Sequence, residues 1–341
     1  MRFALTTVMV IREILGASAF VGLPWAFASN VAMAAESCGE GQYRDLSSER
    51  CEALEVSPSF RAFSTGVGVL VACYEPSLRS ALANAASEEA DATPKSLHLP
   101  SDCVFELNRP LAIPSHVRLH GHGAKLRFHL EAQAACDAKS SSPSSVVAVM
   151  LRRAENVILE DVSIEIADAS SCQTVDALRI QGAKNVLIDG VSAYGAHGSW
   201  AAGIKVWKSR DVVVRNSFAH RNTRGLLVAG GAEGVSAYSN FLVDNDLYGI
   251  VVSGAGSEFA GNHIVGSPRS VFVRRGKAPV RLHHNALTVV GGSPKRAILI
   301  AKDKGRSGRR AAVVVHGNRI LDARGERVAI DGQEVAQIAR N

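Results

Sequence analysis

"RNTRGLLVAGG" runs from Arg221 to Gly231, and "DNDLYGIVVSG" from Asp244 to Gly254. Each opens on polar residues, reaches a glycine, alternates β-forming residues and closes on a second small-residue turn. Aligned by those alternating residues, the phrase returns as "DALRI" from Asp176, "AGIKV" from Ala202, "RSVFV" from Arg269, "RAILI" from Arg296 and "ERVAI" from Glu326. From "DALRI" to "RAILI" the steps are 26, 22, 24, 21 and 27 residues. Repeats of that length are the mark of a solenoid.

Each first strand is followed by a turn and a second alternating strand. These are "NVLIDG" from Asn185, "DVVVRN" from Asp211, "GVSAYSN" from Gly234, "SEFAGN" from Ser257, "VRLHHN" from Val280 and "VVVHGN" from Val313, with an earlier "NVILED" from Asn156. A third short strand then follows, as in "VSIEI" from Val162 and "VSAYG" from Val191. Strands of four or five residues bury no face alone. Stacked in register they form three parallel sheets around one elongated core. Alternation sends Ile204 and Val206 inward and Lys205 and Trp207 outward. Asn216, Asn240, Asn262, Asn285 and Asn318 follow the second strands, where Asn suits a sharp turn and can stack into amide ladders along the solenoid.

The open end of such a stack must be covered. "EPSLRSALANAASEEA", from Glu75, sets Leu78, Ala81, Leu82 and Ala85 at helical spacing, which predicts an amphipathic cap helix over 75–90. "SLHLPSDCVFELNRPLAIPSHVRLHGHGAKLRF" follows from Ser96 as strand, turn, strand, turn, strand.

Cap helix, "LHLPSD", "LAIPSHVRLHGHGAKLRF" and repeats with Asn turns together resemble the right-handed parallel β-helix proteins of the pectate-lyase-like superfamily. The resemblance covers roughly residues 75–335 and implies an all-β, single right-handed parallel β-helix of three sheets with an N-terminal cap. The domain reading is a signal peptide over 1–35, a cysteine-containing segment over 36–74 packed on the cap, and the β-helix over 75–341. "SDC" stands where such proteins often have a proline-glycine turn, so a disulfide can replace that turn.

The leader reading rests on Arg2 and Arg12, the apolar "ILGASAFVGL" and the small-x-small "AMA" ending at Ala34. It predicts export to the periplasm or beyond the cell, with no membrane contact after cleavage. The competing reading is an uncleaved anchor. All six cysteines lie beyond the leader, and an even count in an exported chain suggests disulfides. Nearest-neighbour pairing gives Cys38–Cys51, Cys73–Cys103 and Cys136–Cys172, against buried free thiols as the alternative. No pair has CxxC spacing, which argues against zinc or thioredoxin chemistry. Thirty-eight Lys and Arg against 32 Asp and Glu leave a formal charge of +6 over 341 residues. That modest excess suits an anionic partner.

The resemblance implies a carbohydrate groove along the outer face of the first-strand sheet and an acidic polysaccharide as partner. Outward positions there are Arg179, Lys205, Trp207, Leu227, Val251, Phe272, Arg274 and Leu299. Bordering loops add His197, Ser199 and Trp200; His220, Arg221, Asn222 and Arg224; Asp244, Asn245, Asp246 and Tyr248; and Arg269 begins a later strand. Arg179 and Lys205 fall on adjacent coils about 4.8 Å apart. Two cations that close favour loss of the lysine proton, which suits a general base. Arginine on a sugar carboxylate acidifies the C5 proton. The chemistry expected is β-elimination, or C5 epimerisation if a second group reprotonates the other face.

In that reading Lys205 is the base, His220 or Tyr248 the acid, and Arg224 with Arg179 the carboxylate holder. His197, Trp207, Arg221, Asn222, Arg269 and Arg274 are further substrate contacts. The alternatives are a solvated basic face and, for Trp207, packing beneath a loop. The residues establish no cofactor. Asp244 and Asp246, with Asn245, are candidate ligands for one calcium ion, against a solvated polar loop. The acidic calcium cluster of pectate lyases, the histidine–aspartate signature of alginate epimerases and a paired carboxylate for Asp176 are not evident. The basic loop "KDKGRSGRR" from Lys302 lacks interleaved aromatics, which argues against nucleic acid. The other function class that fits is a non-catalytic glycan-binding or structural envelope protein, which needs no base.

Overall fold

The computed structural model describes residues 42–44, 50–53, 68–87, 95–130, 145–168, 174–253, 256–274, 279–288, 297–301 and 313–321. The proposed leader, Cys38, Cys136, Cys172, "ERVAI" and "KDKGRSGRR" lie outside them.

The three strand families of the repeat become three sheets. The first strands form a sheet of eight, which includes Thr174–Gln181, Ile204–Trp207, Arg224–Ala229, Tyr248–Val252 and Arg269–Val273. The second strands form a sheet of ten and the third a sheet of nine. Neighbouring strands in all three run parallel. An antiparallel pair, Gln42–Arg44 with Cys51–Ala53, stands apart from them.

Register stacks like on like. In the first sheet Leu178, Ile204, Leu226, Ile250, Val271 and Ile298 pair in sequence. Ile204 and Val206 are buried in the central core as the alternation requires. Each such side chain contributes about 1.5–3 kcal/mol. The glycine of the opening phrase has a steric reason. A Cβ on Gly225 would lie 2.8 Å from the Gly249 carbonyl oxygen, and one on Gly249 would lie 2.2 Å from Ile264 Cγ2. Backbone and side chains crowd these strand positions, and only hydrogen fits there.

Helix Glu75–Ser87 places Leu78 and Leu82 in the same core as Phe105, and Arg79 donates to the carbonyl oxygens of Arg109 and Pro110. It is a cap in the position expected. The solenoid itself starts earlier than residue 75. Gly68–Leu70 pairs parallel with Lys95–His98 and forms the edge of the ten-stranded sheet, so the preceding segment supplies a strand. Cys73 and Cys103 are bridged, with Cα atoms 5.8 Å apart, which ties the chain before the helix to the first coil. Such a closure is worth about 2–4 kcal/mol. Cys51 is also disulfide-bonded.

The amide ladder is present, with one correction. Asn240, Asn262, Asn285 and Asn318 pass hydrogen bonds from coil to coil. Asn216 is not a rung. Arg215 pairs with Tyr238, so Ser217 is level with Asn240, and Asn216 takes a left-handed φ of 50° and donates to Asp189 instead. Asn262 is wholly buried and spans four bonds: its amide donates to Ala237 O and Asn285 Oδ1, and its oxygen accepts from Asn240 N and Nδ2. Asn262→Ala orphans these partners inside the turn and is expected to cost about 3 kcal/mol. Urea unfolding checks this through a lower midpoint at unchanged slope.

Candidate functional site

Along the outer face of the first sheet, Met150, Arg179, Lys205, Leu227, Val251, Phe272 and Leu299 stand in one row. Arg179 and Lys205 are neighbours, as the repeat requires. The structure adds a carboxylate between them. Asp176 is wholly buried; Arg179 donates to it through Nε at 2.6 Å, and Lys205 Nζ lies 3.2 Å away. The Ala202 amide donates to its other oxygen at 3.0 Å.

Strict alternation would send Asp176 to the opposite side from Arg179. The strand is irregular at that point: the consecutive amides of Ala177 and Leu178 both donate to the next coil, onto Ala202 and Gly203. Such a kink resets the alternation, as a bulge does, and brings both residues to one face.

Lys205 is buried, and its Nζ also donates to the Trp200 carbonyl at 2.9 Å. Its pKa is pulled below the usual lysine value. Burial is the main cause, with Arg179 and Arg224 adding to it and Asp176 opposing it. Cation repulsion is therefore the lesser contribution, contrary to the expectation from spacing. Among the described residues the partners of Asp176 are Arg179, Lys205 and the Ala202 amide.

Trp200 links Lys205 to the next residue of the site. The Arg224 guanidinium lies 5.0 Å over the Trp200 ring and 5.9 Å from the Tyr248 ring centre. Arg224 is only 7% exposed, its Nη1 makes a long contact of 3.4 Å to Ala201 O, and its Nε has no hydrogen-bond partner. On the following coil Arg269 donates to the Tyr248 hydroxyl at 2.8 Å. Below these groups Ala202, Leu227, Ala229 and Val251 form a small apolar cluster, packed by Trp207, Tyr248 and Phe272. One carboxylate, Asp176, thus contacts two cations, Arg179 and Lys205, with Arg224 on the coil after Lys205; Arg269 lies further along the sheet, against Tyr248. Trp200, 54% exposed, is the open aromatic surface beside them.

The sequence matches the family described as right handed beta helix region over residues 129–287. No curated protein sequence matches the chain. Among solved structures, the tailspike protein of E. coli bacteriophage HK620, in complex with a pentasaccharide, aligns at 13% identity and a TM-score of 0.53, over 75% of this chain and 48% of that one. The Dettilon tailspike protein aligns at 15% identity and 0.52, over 71% and 46%. A thermostable pectate lyase aligns at 9% identity and 0.51, over 79% and 82%. The protein has a right-handed parallel β-helix fold. The alignments span about half the length of the two tailspikes.

The remaining expected site residues of this β-helix scatter. His220 ends Phe218–His220, a strand of the nine-stranded sheet; it stacks on Tyr194 at 4.8 Å and lies tilted against Phe218 at 4.7 Å. It belongs to a different face from Lys205, so it is not the acid of this cluster. Asn222 is wholly buried as a rung of a second ladder: its amide meets Asn245 Oδ1, and its oxygen accepts from the Ala196 amide. It contacts no groove. Arg221 is exposed in a left-handed turn beside it. His197 pairs by backbone with Val175, next to Asp176, at the rim of the site. Arg274 is exposed just beyond the strand that carries Phe272. Trp207 packs on the apolar cluster and over Gly230, where a Cβ would fall 2.6 Å from the ring. Packing is thus its main role, and Trp200 is the exposed indole.

The calcium candidates do not fit the ion. Asn245 turns its amide inward, to Asn222 and Ala219 O, and leaves only Asp244 and Asp246 on the loop surface. Among the described residues no group of three His, Cys, Asp or Glu side chains could hold a metal. No helix there is long and apolar enough to cross a membrane.

Proposed function

We propose that this protein binds an acidic polysaccharide along the outer face of the first sheet and acts on it by β-elimination or C5 epimerisation. The observation that carries the reading is Arg224, a buried guanidinium with an unmet Nε donor, held between two aromatic rings in a cluster with an excess of cations. Leaving such a donor unmet costs more than 1 kcal/mol, and a carboxylate or sulfate oxygen would satisfy it. Trp200 offers a flat apolar surface for a sugar ring beside that anion.

Arg224 would neutralise the uronate carboxylate and so acidify C5–H. Lys205, in its neutral form, would take that proton. In elimination the electron pair forms the C4–C5 double bond, the C4–O bond breaks, and the Tyr248 hydroxyl donates a proton to the leaving oxygen. In epimerisation Tyr248 would return a proton to the opposite face of C5. Export is part of the reading, because the Cys73–Cys103 bridge belongs to an oxidising compartment. The contact of Lys205 with Asp176 favours a second reading, in which the lysine stays charged and the groove only binds.

A panel of polyuronates distinguishes the two. Absorbance of the unsaturated uronate product reads elimination, and deuterium uptake at C5 by NMR reads epimerisation. Neither signal on any polymer sinks the catalytic reading. Arg224→Gln is expected to weaken binding of the active polymer by about 10- to 100-fold, the size of one charge-assisted contact, measured by calorimetry.

A further inference from the structure

We infer that Asp176 is the positioning residue that sets the pH at which Lys205 gives up its proton, because Arg179 and Lys205 compete for its one buried carboxylate. The inference rests on the reading of Lys205 as the base and assigns a role to a residue outside the expected catalytic set.

The geometry is a short chain of contacts. Arg179 donates to Asp176 Oδ2 through Nε at 2.6 Å and makes a second, close contact through Nη2. Lys205 Nζ reaches Oδ2 at 3.2 Å and Oδ1 at 3.5 Å. Asp176 is fully buried, so neither cation shares it with solvent. Arg179 also donates to Ser145 Oγ at 2.7 Å, which anchors it on the preceding coil.

The charged groups that act on Lys205 are Asp176 and Arg179 from the preceding coil and Arg224 from the following one. The Trp200 carbonyl caps the ammonium from the intervening loop, and Trp207 lies 6.0 Å from it on the same strand. Burial favours the neutral amine and Asp176 favours the ammonium. Arg179 weakens the second effect because it already occupies the carboxylate. Burial is the larger of these opposed effects, so the Lys205 pKa lies below the usual lysine value.

The test titrates Lys205 directly and needs no substrate. Acylation of its amine by acetic anhydride is followed against pH by peptide mass spectrometry on the full-length protein. In Asp176→Asn the inflection should move down by about one pH unit, since an opposite charge within contact distance is removed. In Arg179→Gln it should move up, because the carboxylate then serves the lysine alone. Arg179→Gln decides the matter by itself if Asp176→Asn does not fold. Unmoved inflections, or shifts of the same sign in both variants, overturn the inference. Opposite shifts in a protein that turns over no polyuronate would retire the catalytic reading and leave the control of Lys205 by Asp176 in place. Turnover without the shifts would retire this inference alone.

Discussion

Lys205→Arg is expected to fold, to bind the polysaccharide, and to lose turnover by about 10²- to 10⁴-fold, the usual worth of a positioned general base. Arginine keeps the positive charge that Asp176 needs beside it, so no buried carboxylate is stranded. It cannot give up its proton in a protein, so it cannot act as a base. The substitution therefore separates charge from basicity at one position. If the proposed reaction holds, kcat/KM of the native protein should rise with pH through the Lys205 titration, and that limb should lie below the usual lysine range because burial disfavours the ammonium. An arginine variant that retains full turnover would remove the base assignment. Equal binding by both proteins, with turnover in neither, would leave a glycan-binding face.

The fold was legible because it is periodic. First strands from "DALRI" to "RAILI", and second strands from "NVILED" to "VVVHGN", occupy the sheets that their alternation predicts. The site was less legible, because it departs from that period. Asp176 reaches Arg179 only through the irregular pairing at Ala177 and Leu178, which no alternating pattern encodes. His220 looked like a loop residue, yet it ends a three-residue strand, too short to announce itself. Asn222 and Asn245 hold the same place in the two phrases "RNTRGLLVAGG" and "DNDLYGIVVSG". That equivalence was a ladder signal, as strong as the one at Asn240 and Asn262. The polar company of Asn222 suggested a substrate contact instead. Trp200 and Trp207 carried no sequence mark to tell the exposed indole from the packed one; the turn at Gly230 decides it.

Acid should unfold this protein by a route that two histidines control. His220 and His263 both lie on the outer face of the nine-stranded sheet, His220 stacked on Tyr194 and tilted against Phe218, His263 stacked on Phe241. Burial holds each imidazole neutral and lowers its pKa to about 4, with Arg221 and Arg319 adding to the effect. The unfolded chain takes up those protons near pH 6.5, so stability is lost as pH falls from about 6.5 to about 4. Each residue contributes about 3 kcal/mol to that loss. His129 works the other way. Its bonds to Glu106 and Asp168 raise its pKa, so its support is full below pH 6.5 and fades as pH rises through the raised value. All three groups are more than one-third exposed, so that support is small. Replacing both half-buried histidines by phenylalanine keeps these aromatic rows apolar. Denaturant unfolding of the double variant should show a much flatter dependence on pH between 4 and 6.5. A curve parallel to the native one would mean that other groups drive acid unfolding. The same physics links stability to chemistry. A stacked face that must stay uncharged, and a buried lysine that in the proposed reaction must lose its proton, are both opposed by acid.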